Sequence, residues 1–409
     1  MNDTSTPPEG TPDETWESEM SREFDHRVRD LNEAPFSLDH VKGRAMTIKR
    51  NRRLAVAGGI LAAAAVIIPV AVFSAQGLDS RTDKDIPPAT NSASPTPTEA
   101  VDPPSSALAL DYLEGKTWVR PDGSTVELTT KYDGGTTLGD FLLATRSDND
   151  GNRTFDVIDQ SGAVLESVEL TSELVVNADH TTVAYLEPDG DLMTMWDPTT
   201  GEEGRVAMQS GLTSDVSPAA ITGGPSCYEM PKGDNCSLYY NHGDGETAPE
   251  VTVSHGFTVP VVTGKAIGLE DLTENGLALV QKSYSDQGSC NGIYNLEQEA
   301  YTWETCDFFL LELNASGTHV AATHPYLDGF GNAWVALLDA SGNEVGRLDP
   351  ADGATLNQVW EDDDSVLVTV YEQGDWSVWR LNTDGTKEPA LPAKPGGDAD
   401  PAYVLLSGS

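Results

Sequence analysis

Two hydrophobic patterns divide the chain. From Leu54 to Phe73, twenty consecutive residues (LAVAGGILAAAAVIIPVAVF) carry no charge. A helix rising 1.5 Å per residue over that length spans roughly 30 Å, about one hydrocarbon thickness, so residues 54–75 are predicted to cross a membrane once. From about residue 106 onward helical periodicity is scarce. Short apolar stretches alternate there with Gly-containing turns, the pattern of many short strands.

A third pattern precedes the apolar span. Thr11-Pro12-Asp13-Glu14 reads as a capping box with Pro at the first helical position. Trp16, Met20, Phe24, Val28 and Leu31 follow at helical spacing and form one narrow apolar stripe, predicting an amphipathic helix over about 12–33. Ala34-Pro35-Phe36 ends it, and Ser37 can cap a second helix running on toward the apolar span. Nothing in the tail is large enough to bury the stripe, so it is expected to dock on a partner or lie on the bilayer. Its polar face carries Glu17, Glu23 and Asp30, which anionic lipid repels, and a protein partner is the better fit.

The strand-rich part repeats. Gly151 and Gly190 end similar turns 39 residues apart, as do Gly162 and Gly201. Strands ending in Asp159, Asp197, Asp339 and Asn382 run into such turns, where an acid or amide side chain can cap the turn backbone. Asn177-Ala-Asp-His-Thr-Thr-Val-Ala and Asn314-Ala-Ser-Gly-Thr-His-Val-Ala match at five of eight positions, each before a strand. Comparable strands begin near Leu108, Phe141, Val183, Leu238, Leu277, Val320 and Val366, a mean spacing of 43 residues. A period of about 40–45 residues with four strands per unit predicts an all-β propeller over 106–409, with seven blades and six or eight also compatible. Ala402–Ser407 is the expected closing strand. These markers, with a Trp-Asp pair at Trp196-Asp197, resemble the WD-repeat-like and TolB-like propellers of bacterial envelope proteins. The Gly-His dipeptide of eukaryotic WD repeats is missing from most units. The resemblance implies fold rather than function.

Charge orders these pieces. The 409-residue chain has a formal charge of −42. Residues 1–41 contribute −8 and residues 106–409 contribute −37, which argues against nucleic acid as a partner. Between them Lys42, Arg44, Lys49, Arg50, Arg52 and Arg53 form a cluster with no acid among them. Under the positive-inside rule they place residues 1–53 in the cytoplasm and everything after the span outside. A cleaved signal peptide fits less well, because 53 residues precede the apolar stretch. No Cys precedes Cys227, which excludes a lipoprotein anchor. Residues 76–105, with Pro87, Pro88, Pro95, Pro97, Pro103 and Pro104 among Ser, Thr and Ala, read as an extended tether.

Cysteine usage agrees with an outer location. Cys227, Cys236, Cys290 and Cys306 all follow the span and none forms a C-x-x-C pair, so disulfides are expected. Of three possible pairings, the shortest loops give Cys227–Cys236 and Cys290–Cys306. Other chemistry is sparse. The five outer histidines, His180, His242, His255, His319 and His324, are scattered, and no G-x-S-x-G elbow occurs. Asp148-Asn-Asp-Gly151-Asn152 resembles a calcium-loop fragment but has Arg153 at its sixth position and reads as a hairpin turn. Glu361-Asp-Asp-Asp364 reads as a solvated turn, and Asn152, Asn235 and Asn314 open N-x-S/T sequons. No catalytic, metal-binding or cofactor-binding residue is predicted.

The arrangement of helical tail, basic cluster and single span over residues 11–75 resembles the membrane-tethered regulators that bacteria pair with extracytoplasmic-function sigma factors. The zinc-binding His-x-x-x-Cys-x-x-Cys motif of the common class is missing. The sequence therefore predicts a non-enzymatic single-pass envelope protein. Its propeller binds a ligand or protein outside, and its tail binds a cytoplasmic regulator such as a sigma factor. A scaffold without signalling, or an enzyme using the propeller channel, are the rival readings.

Overall fold

The computed structural model describes residues 107–148, 151–223, 236–243, 247, 249–253, 258–261, 266–285, 288–326 and 330–406. The tail helix, its stripe from Trp16 to Leu31, the basic cluster from Lys42 to Arg53, the span and the tether lie outside these residues. Among the described residues no helix is long and apolar enough to cross a membrane.

The predicted strands form a β-propeller of four-stranded antiparallel sheets. Six sheets take four strands consecutive in sequence, and the ring is completed by one composite sheet. Sheet 1 pairs Tyr112–Glu114, Thr117–Val119 and Thr125–Glu127 with the closing strand Tyr403–Leu405. Sheet 2 runs from Gly134–Leu138 to Val164–Leu170, and sheet 3 from Val175–Val176 to Arg205–Gln209. Sheet 4 begins with Ser217–Thr222, sheet 5 with Gly268–Leu272, sheet 6 with Phe309–Leu313 and sheet 7 with Gly353–Asp362. The closing strand falls inside the expected Ala402–Ser407 and pairs Tyr112 with Leu405.

From sheet 2 to sheet 6 the first strands contact one another in turn, as Ser217–Thr222 does with Gly268–Leu272, and they line the inside of the ring. The closing strand takes the innermost place in sheet 1, against Gly353–Asp362 of sheet 7.

The core is divided among the seams between sheets. The second strand of sheet 7 shows how. Val366, Val368 and Val370 pack with Ala321, Val335 and Leu337 of sheet 6. Leu367, between them in sequence, faces the other way onto Tyr403 and Leu405 of sheet 1. Side chains alternate across a strand, so a sheet covered on both faces needs an unbroken apolar run. Leu142-Leu143-Ala144 and Val183-Ala184-Tyr185-Leu186 divide between two seams in the same way.

Six of the seven expected strand starts, near Phe141, Val183, Leu238, Leu277, Val320 and Val366, mark the second strands of sheets 2–7. Leu108 does not. It is buried, but in a leading segment that wedges into the seam between sheets 7 and 1, and the first strand starts at Tyr112. Apolar burial without a strand produced that misreading.

The turn chemistry holds. Asp159 Oδ1 accepts the amides of Ser161 and Ala163 at 2.8 and 3.0 Å, and Asp339 Oδ1 those of Ser341 and Asn343 at 2.8 and 2.9 Å. Gly342 closes the Asp339 turn at φ +81°, and a Cβ there would lie 2.3 Å from the Trp303 ring of sheet 5. Asp148 caps its own hairpin through the Asn152 amide at 2.9 Å. Cys290 and Cys306 are joined, tying the third strand of sheet 5 to the loop before sheet 6. Cys236 is disulfide-bonded as well, while Cys227, its expected partner, lies outside the described residues.

Candidate binding site at one mouth of the central channel

A cavity of about 380 Å³ opens at one mouth of the channel, where the first strands end and turn into the second. Its wall draws on five sheets: Asp111 and Leu406 from sheet 1, Thr137 from sheet 2, His180 from sheet 3, Ala315 from sheet 6, and Trp360–Asp363 from sheet 7. Ala109 and Leu110 of the leading segment complete it.

Each polar group is held by a neighbour. Trp118 Nε1 donates to Asp111 Oδ1 at 2.6 Å. Burial pushes the Asp111 carboxyl up, against the pull of that bond and of the nearby Arg120 and His180. Arg120 lies over the Trp118 ring, 4.2 Å from its centroid. His180 occupies the left-handed region at φ 54°, with Nδ1 2.8 Å from Thr137 Oγ1, while its carbonyl accepts from Gly139 N at 2.8 Å. The repeat marker thus fastens sheet 3 to sheet 2.

Glu361 departs from the solvated turn expected of the acidic run. Its side chain is only 4% exposed, because Arg380 grips it through Nε at 2.6 Å and Nη2 at 3.0 Å. Its Oε1 also accepts the Ala109 amide at 2.7 Å, which pins the leading segment across the mouth. Asp362 and Asp363 are exposed as expected. Asp362 Oδ1 accepts from Asp364 N and Ser365 Oγ, and Asp363 Oδ1 from Ser316 N at 2.9 Å.

Acids gather on the innermost strands next to Trp360. Trp360 Nε1 donates to the Glu312 carbonyl at 3.2 Å. Glu312 on the first strand of sheet 6 neighbours Glu270 and Asp271 on that of sheet 5, and none of the seven innermost strands contains Lys, Arg or His. A β-bulge at Glu270 sets these acids side by side, repeating the irregularity at Ala219 and Leu311 in the adjoining sheets. Asp271 accepts Leu313 N of the next sheet and Leu272 N, both at 2.7 Å. Burial, with the Asp271 charge second, pushes Glu270 up to about 8 and raises Glu312. Burial likewise lifts Asp271 to about 6, against its two amide donors. Glu270 Oε1 is enclosed and has no hydrogen-bond partner.

Neither acid group was legible as a site, since His180, Asp111 and Glu361 are far apart in sequence. The other described histidines stay apart, His242 pairing with Glu250 at 3.1 Å. Among the described residues no three acid, His or Cys side chains converge to hold a metal ion.

At the opposite mouth the long hairpin Leu277–Ser285/Gly288–Asn295 stands against the loop after Thr323, where Ser289 N donates to the Pro325 carbonyl at 3.0 Å. Tyr284 and Tyr326 are exposed there.

No family model matches the chain, and no curated protein matches it in sequence. Among solved structures, TolB from Acinetobacter baumannii is 16% identical over 62% of this chain and 63% of that one, with a TM-score of 0.40. The β-propeller domain of Cps50 (Swd1) from Myceliophteria thermophila is 12% identical over 65% of this chain and 87% of its own, with a TM-score of 0.43. BamB from Moraxella catarrhalis is 16% identical over 69% and 81%, with a TM-score of 0.36.

Proposed function

We propose that this chain is a non-enzymatic single-pass envelope protein. Its outer propeller binds a ligand or protein, and its cytoplasmic tail binds a regulator of the sigma-factor kind. The observation that supports the arrangement is where the propeller chain begins and closes. Leu108–Asp111 and Leu406 meet at one channel mouth, with Leu406 N 3.3 Å from the Asp111 carbonyl. The first described residues of the propeller therefore lie next to the cavity. Binding at the cavity touches this leading segment, which in sequence follows the tether expected over 76–105. The carboxylates at the mouth are held by Trp118, Arg380 and Ser316, an arrangement suited to holding a ligand in place.

The test is a cross-linked pull-down of the full chain from membranes, beside a chain with Trp16, Phe24 and Leu31 changed to Ala. Recovery of a sigma factor or other cytoplasmic regulator by the first and not the second supports the signalling role. Equal recovery from both, together with an unchanged transcript profile on deleting residues 11–35, leaves a surface scaffold. Protease added to intact cells should reach the propeller and not the tail.

A further inference from the structure

The central hairpin of sheet 5 outgrows its sheet. The first strand reaches only as far as Gly268, opposite Gln281, and the fourth only to Thr305, opposite Asn291. Past that line Ser283, Tyr284 and Ser285 pair with Cys290, Ser289 and Gly288 as a two-stranded ribbon. Among the described residues no further strand flanks it. A lone two-stranded hairpin is at best marginally stable in water, so the ribbon depends on what fastens its root. Lys282 pairs with Glu304 and lies 4.6 Å from the centroid of the Tyr301 ring. Ser289 N donates to the Pro325 carbonyl and Asn291 Nδ2 to the Phe308 carbonyl, both at 3.0 Å. The covalent fastening is the Cys290–Cys306 disulfide.

That bond closes the ladder. The third and fourth strands pair Ile293 with Trp303, Gly292 with Glu304 and Asn291 with Thr305. The next step of the same register sets Cys290 directly opposite Cys306, and their Cα atoms are 4.1 Å apart. The bridge is also open to solvent. Cys306 is exposed and Cys290 half-buried, whereas Cys236, the other described disulfide cysteine, is fully buried. Thiol–disulfide exchange requires a thiolate to reach one of the two sulfurs, and exposed disulfides are the labile ones.

We propose that Cys290–Cys306 is a reversible redox site, opened by a dithiol reductant of the C-x-x-C class, and that its state decides whether the ribbon is fastened to the propeller. A thiolate of the reductant attacks the sulfur of Cys306 and bonds to it. The Cys290–Cys306 bond breaks, and its electron pair leaves on Cys290, which takes up a proton. The second thiolate of the reductant then attacks its own bonded sulfur, releasing Cys306 to be protonated in turn. Two electrons and two protons thus pass to the chain, and the reductant ends as a disulfide. With the bond open, the ribbon keeps only the contacts of Lys282, Ser289 and Asn291, and Tyr284 is carried on a loosened arm. Ala278, Leu279, Val280 and Ile293, which hold sheet 5 in its seams, lie on the sheet side of that line, so the ring stays closed. The inference goes beyond the binding role and depends neither on the ligand nor on the tail.

The experiment exposes the full chain, purified oxidised in non-ionic detergent, to thioredoxin, thioredoxin reductase and NADPH under native conditions. Free thiols are trapped by alkylation and assigned by peptide mass spectrometry, and trypsin cleavage after Lys282 reports on the ribbon. Cys290 and Cys306 should become alkylated about tenfold faster than Cys236, or more, as their exposure requires. Cleavage after Lys282 should rise in step, and both changes should reverse on adding oxidised glutathione. The double variant Cys290→Ser with Cys306→Ser should be cleaved at the raised rate in either redox state. Near-ultraviolet circular dichroism should stay unchanged throughout, and its loss on reduction would overturn the proposal by showing that the bond holds the ring rather than the ribbon. Reduction no faster than at Cys236, or only in denaturant, overturns it as well. So does reduction that leaves cleavage after Lys282 unaltered. None of these outcomes touches the sigma-factor test above.

Discussion

Asn314 of sheet 6 donates from Nδ2 to the carbonyl of Asp363 in sheet 7 at 2.9 Å, and its Oδ1 accepts the His319 amide at 2.9 Å. Asn177 makes the same pair of contacts three sheets earlier, to the Gly223 carbonyl of sheet 4 at 2.9 Å and to the amides of Thr181 and Thr182. The marker that revealed the repeat is therefore the clasp between neighbouring sheets. Asn314 is fully buried, so the sequon it opens is structural.

Replacing Asn314 with Ala leaves the Asp363 carbonyl and the His319 amide without partners. At about 1–3 kcal/mol for each buried group left unsatisfied, the urea midpoint should fall clearly. Asn177→Ala should behave alike. A midpoint unchanged in both would show that the clasps contribute nothing.

Leu367 faces the seam that joins sheet 7 to the composite sheet, with no exposure. Leu367→Ala should cost about 2–5 kcal/mol, the usual range for emptying a core site. Leu165, 49% exposed on an outer strand, is the matched control and should shift stability by less than about 0.5 kcal/mol when changed to Ala. Equal losses from the two would contradict the seam as the location of the core.

The channel acids give stability a definite pH dependence. Glu270 and Asp271 are held at about 8 and about 6 in the folded protein, above their ordinary values, and Glu312 is raised as well. The folded state then keeps protons that the unfolded chain has released. Their contribution is fully present below the ordinary carboxylate range and is lost as pH rises toward 8. Denaturant melts from pH 5 to pH 8.5 should show falling stability, and Glu270→Gln should flatten that slope. A slope indifferent to the substitution would remove Glu270 from the account. Asp156 acts in the opposite sense. Although burial opposes it, donation by Arg146, Ser167 and Tyr132 lowers its carboxyl, so its contribution is lost as pH falls through the acid range.

The Cys290–Cys306 bond spans a sequence separation of 16 residues. Closing a loop of about 15 residues is worth about 3 kcal/mol in the chain-entropy account. Changing both residues to Ser should lower the unfolding midpoint and open the neighbouring Leu277–Asn295 hairpin to limited proteolysis. An unchanged digestion pattern would show that the hairpin is held by the Ser289–Pro325 contact alone.

The sequence displayed most clearly what each sheet states locally. Runs such as Val366-Leu367-Val368 are apolar at every position because both faces are covered, and they marked the second strands of six sheets. The capped turns at Asp159 and Asp339 were legible because cap and turn lie within five residues. The mouth was not, since Asp111, His180 and Glu361 come together only through the ring. Glu361 sits in a run of four acids, and its ion pair with Arg380 is invisible until the first and third strands of sheet 7 are placed either side of the second. In the sequence Glu270, Asp271 and Glu312 entered only as part of the net charge of residues 106–409, whereas strand order places them on the innermost strands.

The composite sheet has a consequence for how the ring comes together. Tyr112–Glu114 must wait for Tyr403–Leu405, the most distant strand in the described chain, and ion pairs between Lys394 and Glu114 and between Lys131 and Asp400 form across the same join. Such non-local pairing is slow to form. Until it does, the chain is an open arc with a bare edge, and an identical strand from a neighbouring copy fits that edge equally well. Refolding at high concentration should therefore yield strand-exchanged dimers, and dilute refolding should yield closed single rings.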